Sequence, residues 1–469
     1  VSRTLPTSNP ANPSSAERDL ALRCIRTLRR AGFVALLAGG CVRDELLGKA
    51  PSDYDIATSA TPQQLAQLFP RTAHVGAHFG VVLVRETLRQ VLPDGERVLP
   101  ITIEVATFRT DGTYTDNRRP ETVRFSTPRE DAQRRDFTVN ALFLSPHDPE
   151  DRQASHAEGH PLFEGAALHE IPSGSIIDFV GGQADLASRT LRAVGDPHAR
   201  LSEDHLRALR AVRLSAKLGF AIHQDTKHAI TRHAMQLRGV SPERVGDECR
   251  AMFAHPSRAV AAALLAELGL VPAILGTPDR NAAPRPPALL AACAPAGEPA
   301  PVGLALLAWS HSLGVRLLAS EAGSPAKQFV ASAREGLCLS NDETSEMTNL
   351  CTRLTELSEQ WGSAPVARRK RIASAKEFAG ALHLFSVLQP VAAEAVAHDV
   401  AALSQTFGGL QPPPLLTGDH LIARGPKGGP KFKLVLDSVY DAQLEGAIAT
   451  PEQALTLGES LLAPPGARN

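Results

Sequence analysis

The spacing of apolar positions along the chain changes character near residue 185. Before that point short runs dominate. Leu20, Cys24, Ile25 and Leu28 recur at helical spacing and predict a short amphipathic helix. An apolar run from Phe33 to Ala38 predicts a strand, ended by a Gly39-Gly40 turn and followed by a helix over Arg43 to Leu47. Further β-type runs at Tyr54–Thr58, Phe79–Arg85, Ile101–Phe108 and Thr122–Ser126 predict a small mixed α/β head ending near residue 145. Beyond 185, Ala/Leu-rich helical patterns fill 203–219, 225–238, 243–268 and 302–319, and more helix occupies 325–407. The fold class expected is α+β: a mixed sheet with helices, then an all-helical remainder.

Polar stretches punctuate this pattern. Residues 1–15 are rich in Ser, Pro and Asn and are expected to be disordered. Residues 86–100 lengthen one hairpin. Residues 146–175 combine Pro, Gly and Asp with four histidines and read as a surface excursion. His156 and His160 have the spacing of a zinc pair on a helix, but the flanking Gly and Pro oppose a helix and no third ligand is suitably spaced. A Pro/Ala-rich connector lies near 276–301, and the segment from 408 opens with Pro412-Pro413-Pro414.

Composition narrows the function classes. The 469 residues exceed one ordinary domain. Lys and Arg total 49 against 50 Asp and Glu, so any phosphate-binding surface is local rather than global. At 4% aromatics, stacking on bases cannot be spread widely over the surface. The six cysteines include no C-x-x-C pair, which favours free thiols over zinc or a disulfide framework. No apolar signal core opens the sequence, and no apolar run reaches the roughly 18 residues of a membrane span. A soluble, cytoplasmic protein without a membrane partner is expected.

The chemistry concentrates in a few blocks. Leu37-Ala-Gly-Gly-Cys-Val-Arg-Asp44 is a strand running into Gly39 and Gly40, where backbone N–H groups and the following helix N-terminus can face an anion and Arg43 can add a charge-assisted bond. In Ser52-Asp-Tyr-Asp-Ile-Ala-Thr58 the carboxylates of Asp53 and Asp55 are two apart and share one face. Facing a triphosphate, they meet the oxygen-ligand demand of Mg²⁺. A lone D-x-D is common on solvated turns; the order and spacing of the two blocks make coincidence a poor explanation. Glu104 is a lone acid in an otherwise uncharged strand stretch, where burial without a metal or a salt bridge would be costly. Asp131-Ala-Gln-Arg-Arg-Asp-Phe-Thr-Val-Asn-Ala141 sets Arg134 and Arg135 beside Asp136 and Asn140, more polar than a core element needs. In Ser202-Glu-Asp-His-Leu-Arg-Ala-Leu-Arg-Ala-Val-Arg213, Ser202 is a credible N-cap, and Asp204 and Arg207 are three apart on one helix face. An intrahelical salt bridge is the competing reading of that pair.

GGCVRD, DYDIAT, EVATFR, RRDFTVNA and EDHLRALRAVRLSAKLGF resemble, in order, the motifs of the class II CCA-adding tRNA nucleotidyltransferase and bacterial poly(A) polymerase family. The resemblance is close over 33–145 and 176–250 and loose over the helical remainder. It implies a DNA-polymerase-beta-like nucleotidyltransferase head at 16–180, a neck with a base-recognition helix at 181–250, a helical body at 251–407 and an RNA-contacting tail at 408–469. It implies Mg²⁺ on Asp53 and Asp55, helped by Glu104. It also makes Asp204 and Arg207 an amino-acid template for the incoming base, with Arg210 and Arg213 on the same nucleotide-binding helix. Arg134 and Arg135 become candidates for triphosphate or ribose contact, with Asp136 orienting an arginine. The template chemistry is self-consistent. Cytosine and adenine both present an amino donor beside a ring-nitrogen acceptor, matching a carboxylate plus a guanidinium, whereas uracil and guanine set a carbonyl against the carboxylate. Two positions depart from the family pattern: Leu201 where an aromatic is usual, and Ala208 where a longer apolar side chain is common.

Residues 109–125 resemble the flexible loop of enzymes that complete CCA, and Leu416-Thr-Gly-Asp…Gly425-Pro-Lys-Gly-Gly-Pro-Lys-Phe432 resembles the family's RNA-contacting tail, in which Lys427 and Lys431 would meet phosphates. The expected partners are tRNA, CTP and ATP. Poly(A) polymerase is the rival product, opposed by the absence of a strongly basic tail. An A-adding partner of a split pathway and a non-catalytic RNA-binding relative are the other readings. A phosphohydrolase would need a histidine cluster that His311 lacks.

Overall fold

The computed structural model describes residues 13–74, 80–92, 95–111, 123–147, 160–276, 287–318, 325–406, 408–422 and 430–462. The chain divides into two compact units, Val1–Ser241 with Glu267–Ala273, and Pro242–Ala266 with Ile274–Asn469.

The first unit is built on an eight-stranded sheet. Helix α1 (Pro13–Arg30) buries Leu20, Cys24, Ile25 and Leu28, as their spacing requires. Then come β1 (Ala35–Ala38), α2 (Gly40–Leu46), β2 (Asp55–Thr58), α3 (Pro62–Leu68), β3 (Thr72–His74), β4 (Val81–Leu92) and β5 (Gly95–Thr107). A separate antiparallel pair joins β6 (Arg109–Asp111) to β7 (Val123–Phe125). Helix α4 (Pro128–Gln133) leads to β8 (Phe143–Pro146), β9 (Ala167–Ile171) and β10 (Gly174–Asp178). The order is β3-β4-β5-β2-β1-β8-β10-β9. The β2–β5 pairing is parallel and the others are antiparallel. Helices α3 and α4 start by the same device: Thr61 with Gln64, and Thr127 with Glu130, close capping boxes with proline in the first turn. The core beneath the central strands holds Leu36, Phe108, Phe143 and Ile177, with Phe108 and Phe143 edge to face at 6.0 Å.

One expectation about the head holds and another changes. Residues 86–100 extend one continuous hairpin, paired from Val81↔Ala106 to Leu92↔Gly95. Residues 146–175 are only partly an excursion, because β9 and the start of β10 extend the sheet beyond β8. The exposed β9, Ala-Leu-His-Glu-Ile, carries no clear apolar–polar alternation to announce it. His156 lies outside the described residues; His160 caps a short turn, its Nδ1 accepting from the Leu162 N–H at 3.2 Å.

After β10 come α5 (Gly182–Ala187), β11 (Thr190–Leu191), α6 (Pro197–Glu203), α7 (Arg207–Leu218), β12 (Ala221–Ile222) and α8 (Gln224–His233). The buried Asp178 carboxylate accepts the backbone N–H groups of Val180, Gly181, Gly182 and Gln183, which fixes the entry to α5. Gly182 is needed for bulk: a Cβ there would fall inside the contact shell of the Thr138 carbonyl oxygen. Gly182→Ala is expected to destabilise the protein by ~1–3 kcal/mol in urea titration, the usual cost of overpacking against backbone; an unchanged midpoint would refute that close approach.

The remainder is helical: α9 (Pro242–Ala254), α10 (Arg258–Glu267), α11 (Val271–Leu275), α12 (Ala288–Ala292), α13 (Val302–Ser312), α14 (Pro325–Gly336), α15 (Asn341–Thr355), α16 (Val366–Ala373), α17 (Phe378–Leu388), α18 (Pro390–Ser404), α19 (Gly418–Ile422), α20 (Pro430–Leu444) and α21 (Pro451–Leu462). The single helix expected over 243–268 breaks at His255-Pro256-Ser257, where proline supplies no N–H. The apolar α13 is buried, and its Trp309 packs on Phe253 at 4.6 Å and Phe329 at 6.2 Å. All six cysteines are unpaired thiols, five of them buried. No helix among the described residues is long and apolar enough to cross a membrane.

Candidate active site

The parallel pairing of β2 and β5 sets Asp55 directly opposite Glu104. Asp53 precedes β2 rather than lying in it, but Tyr54 and Ile56 are buried while Asp53 is exposed and Asp55 half-buried, so the two-residue alternation is kept. Glu104 is exposed, between buried Ile103 and Val105. This corrects the expectation of a buried lone acid: the pleat turns Glu104 away from the core, so burial cannot explain its presence. The three carboxylates act on one another. Burial, then the charges of Asp53 and Glu104, push Asp55 up to about 7, against the opposing pull of Arg135. Among the described residues no three His, Cys, Asp or Glu groups form a closed metal cluster. Mg²⁺ needs none, since it uses one or two carboxylates and shares its shell with phosphate and water. A carboxylate pushed up by burial and by its like-charged neighbours belongs to a donor set that a divalent cation would relieve.

Beside the carboxylates lies an arginine network. Gly39, with φ +80°, enters α2, and a Cβ there would stand 2.9 Å from Arg135 Nη1. Gly40 is the first residue of α2. Arg43 is buried, not exposed to an anion as expected; its Nε donates to Asp44 at 2.8 Å and its Nη1 to Asn140 Oδ1 at 2.5 Å. Arg134 and Arg135 both pair with Asp131, at 2.6 and 3.0 Å, and Arg135 also donates to the Asn140 carbonyl and lies over the Phe143 ring at 5.1 Å. Burial alone would raise Asp131, yet the guanidinium groups of Arg135 and Arg134 hold it below the usual carboxylate range. Asp131, within the Arg134–Asn140 block's leading segment, had no role from sequence alone. The signal was present: an acid in α4, three and four residues before two arginines that follow the helix. Asp136 receives Arg210 through Nε at 3.0 Å and Nη2 at 2.7 Å, and the Asn140 amide at 3.2 Å.

The base-reading segment differs from its expectation. Asp196 caps α6, and Ser202 lies within that helix, donating to the His198 carbonyl, so it caps nothing. Asp204 is extended (φ −153°, ψ 104°) and breaks the helix; α7 starts at Arg207. Asp204 and Arg207 therefore do not share a helix face. Arg207 Nη1 instead donates to Glu203 Oε2 at 2.5 Å and the Arg200 carbonyl at 2.6 Å, while Asp204 Oδ1 accepts from the Leu206 N–H. The missed residue is Glu203, masked by the stronger Asp204–Arg207 spacing. Arg213 lies half-buried one turn beyond Arg210 on α7. Lys431 is exposed in the first turn of α20; Lys427 and residues 112–122 of the loop lie outside the described residues.

Residues 35–159 match the poly A polymerase head domain, and residues 219–282 match the probable RNA and SrmB-binding site of polymerase A. The chain is 40% identical over 262 residues to a CCA-adding enzyme of Geobacillus thermodenitrificans, covering 56% of this chain and 55% of that one. It is 40% identical over 229 residues to a CCA-adding enzyme of Levilactobacillus brevis, covering 49% and 48%. The chain thus spans about half the length of the curated relatives it matches. Its fold superposes on the Bacillus stearothermophilus CCA-adding enzyme crystallised with CTP, with a TM-score of 0.66, 27% identity and coverage of 96% of this chain and 98% of that one. The Thermotoga maritima CCA-adding enzyme complexed with tRNA shares the fold at a TM-score of 0.58 and 17% identity, over 95% of each chain. Residues 35–159 and 219–282 thus carry the head and RNA-binding segments of the poly(A) polymerase family, and the chain is similar over about half its length to CCA-adding enzymes.

Proposed function

We propose that this protein is a template-independent nucleotidyltransferase that adds or repairs the 3′-terminal CCA of tRNA from CTP and ATP, releasing pyrophosphate. The observation that carries the reading is Asp55 opposite Glu104 with Asp53 alongside, adjoining a cluster of ordered arginines. Asp53 and Asp55, with Glu104, would hold Mg²⁺, which when bound supplies Lewis-acid activation of the attacking hydroxyl and charge neutralisation of the leaving pyrophosphate. The RNA 3′-oxygen attacks the α-phosphorus of the nucleotide as the bond to the β-phosphate oxygen breaks. Arg135 and Arg134, pre-ordered by Asp131, offer guanidinium groups to the triphosphate or ribose, and Asp136 aims Arg210 along the nucleotide site.

Asp204 and Arg207 read the base edge. Glu203 and the Arg200 carbonyl engage Nη1 of Arg207, which leaves its Nε and Nη2 donors for the nucleotide. Arg207→Ala is expected to raise UTP and GTP incorporation relative to CTP and ATP by about tenfold or more, the discrimination lost with one charged recognition bond. Selectivity equal to wild type in competition assays would remove Arg207 from the template. Lys431, exposed at the start of α20, would meet RNA phosphate, and the unpaired thiols agree with a reducing cytoplasm.

Purified protein offered tRNA lacking CCA, ending in C or ending in CC, and a generic RNA, with each NTP, tests the product. Addition of CCA followed by arrest supports the reading. Long A tails on generic RNA would replace it with poly(A) polymerase, and addition to tRNA ending in CC alone would replace it with an A-adding enzyme.

A further inference from the structure

A second concentration of ligand-type side chains lies away from the carboxylates, where α6 meets the end of α8. His198 Nδ1 and His233 Nε2 face each other at 3.1 Å. We propose that these two nitrogens form a binding site for a divalent transition-metal ion of the zinc, nickel and cobalt class, which pins α6 to α8. Two imidazole nitrogens bound tetrahedrally to zinc stand about 3.3 Å apart, given Zn–N bonds of roughly 2.0–2.1 Å. The pair is therefore within a few tenths of an ångström of chelating spacing.

The surroundings select this use. His233 Nδ1 lies 2.5 Å from Gln236 Oε1, and an amide oxygen there accepts the Nδ1 proton and leaves Nε2 with its lone pair. The His205 ring stacks on His233 at 6.2 Å and 23°, holding its plane from the buried side. The His198 backbone is fixed by its N–H bond to Asp196 Oδ1 at 3.0 Å and by Ser202 Oγ on its carbonyl at 2.9 Å. In the metal-free pair His198 carries its proton on Nδ1 and donates it to His233. Metal entry moves that proton to His198 Nε2, so neutral imidazole binds with no net proton release. His198, though not His233, also lines a cleft of about 450 Å³ with Asp196, Asp225, His228 and Arg232, so the His198 side of the pair is open to water.

Two protein ligands, in a protein where no three-group cluster occurs among the described residues, make this an exchangeable site rather than a structural zinc centre. Its preference differs from that of the carboxylates: imidazole favours zinc, nickel and cobalt, whereas Asp and Glu oxygens favour magnesium. Its place on α6 has a mechanical meaning. Arg200 of the same helix donates to the carbonyls of Gln133 and Arg134, and Glu203 holds Arg207. A metal on His198 would hold the helix that positions those contacts.

The test uses the full chain with excess Mg²⁺ to occupy the carboxylates. Zn²⁺ or Ni²⁺ is titrated by calorimetry, and Co²⁺ by visible absorption. Wild type is expected to bind one ion more than His198→Asn or His233→Asn, and the Co²⁺ ligand-field band should vanish in both. Gln236→Ala should weaken binding by about 10–100-fold, the effect of losing a partner that orients a ligand histidine. His228→Asn, which changes the cleft but not the pair, should bind as wild type. Thermal melts in EDTA check that each variant is folded; His198 is exposed, so its replacement leaves the core intact. Equal stoichiometry in wild type and His198→Asn, or loss only in His228→Asn, would overturn the site.

Discussion

Asp55→Asn is expected to reduce nucleotide transfer by about a thousandfold or more, on the order of 4 kcal/mol of transition-state stabilisation, since a bound metal supplies several kcal/mol of charge stabilisation. The substitution keeps the side chain's shape and its place in β2, and removes the charge that the exposed Glu104 and Asp53 surround. Stability should not fall. Asp55 is pushed up by burial and by its neighbours' charges, so the ionised form is a strained one, and a neutral amide relieves repulsion. The pattern to look for is lost activity with an equal or higher melting temperature. Single-turnover transfer to tRNA lacking CCA, at saturating CTP and metal, measures the first; a melt measures the second. Activity within tenfold of wild type would remove Asp55 from the metal site and take the proposed mechanism with it.

Asp131→Ala is expected to act in the opposite way, destabilising the protein by about 3–5 kcal/mol, the cost of leaving a buried charge pair without one partner. Asp131 is 1% exposed and holds both Arg134 and Arg135, which keep only 19% of their side-chain surface in solvent. Without it two guanidinium groups remain partly buried beside each other. The same pair of arginines sets a pH dependence. Because they hold the folded carboxyl below its ordinary value, its contribution is fully present above the unfolded pKa, roughly 3.9. It is lost as pH falls below that value through the folded one. Urea midpoints for wild type and Asp131→Asn should therefore converge in acid and diverge at neutrality. Parallel curves across that range would show that the carboxylate is not the group that matters.

Much of the head was legible because its chemistry is local in sequence. Gly39-Gly40, Asp53 with Asp55, and the Arg134–Asn140 block each carry their meaning within a few residues, whereas α3 and α4 went unread despite their capping boxes at Thr61 and Thr127. Most of what sequence left hidden depended on partners far along the chain. The outward turn of Glu104 follows the alternation of Ile101, Ile103 and Val105; what alternation does not specify is the parallel pairing that sets Glu104 opposite Asp55. The break at Asp204 competes with an uninterrupted helical pattern from 203 to 219; an acid followed by His205 and Leu206 carries no proline or glycine to mark it. Arg43 reads as a phosphate ligand by spacing, and only folding brings Asn140 to its Nη1 and removes it from solvent. For Glu104 and Arg43 the deciding contact spans dozens of residues, whereas at Asp204 it lies within seven.

Asn140 joins three of these segments through one amide group. Its Oδ1 accepts from Arg43 of α2, its Nδ2 donates to Asp136, and Asp136 in turn holds Arg210 of α7. Such a chain of donor and acceptor roles imposes a shared history on its members. An aspartate at 140 would satisfy Arg43 but set a second negative charge against Asp136, and a lysine at 210 would forfeit one of the two bonds to that carboxylate. Among descendants of this sequence, positions 43, 136, 140 and 210 should be inherited as a set, with any change at one accompanied by change at another.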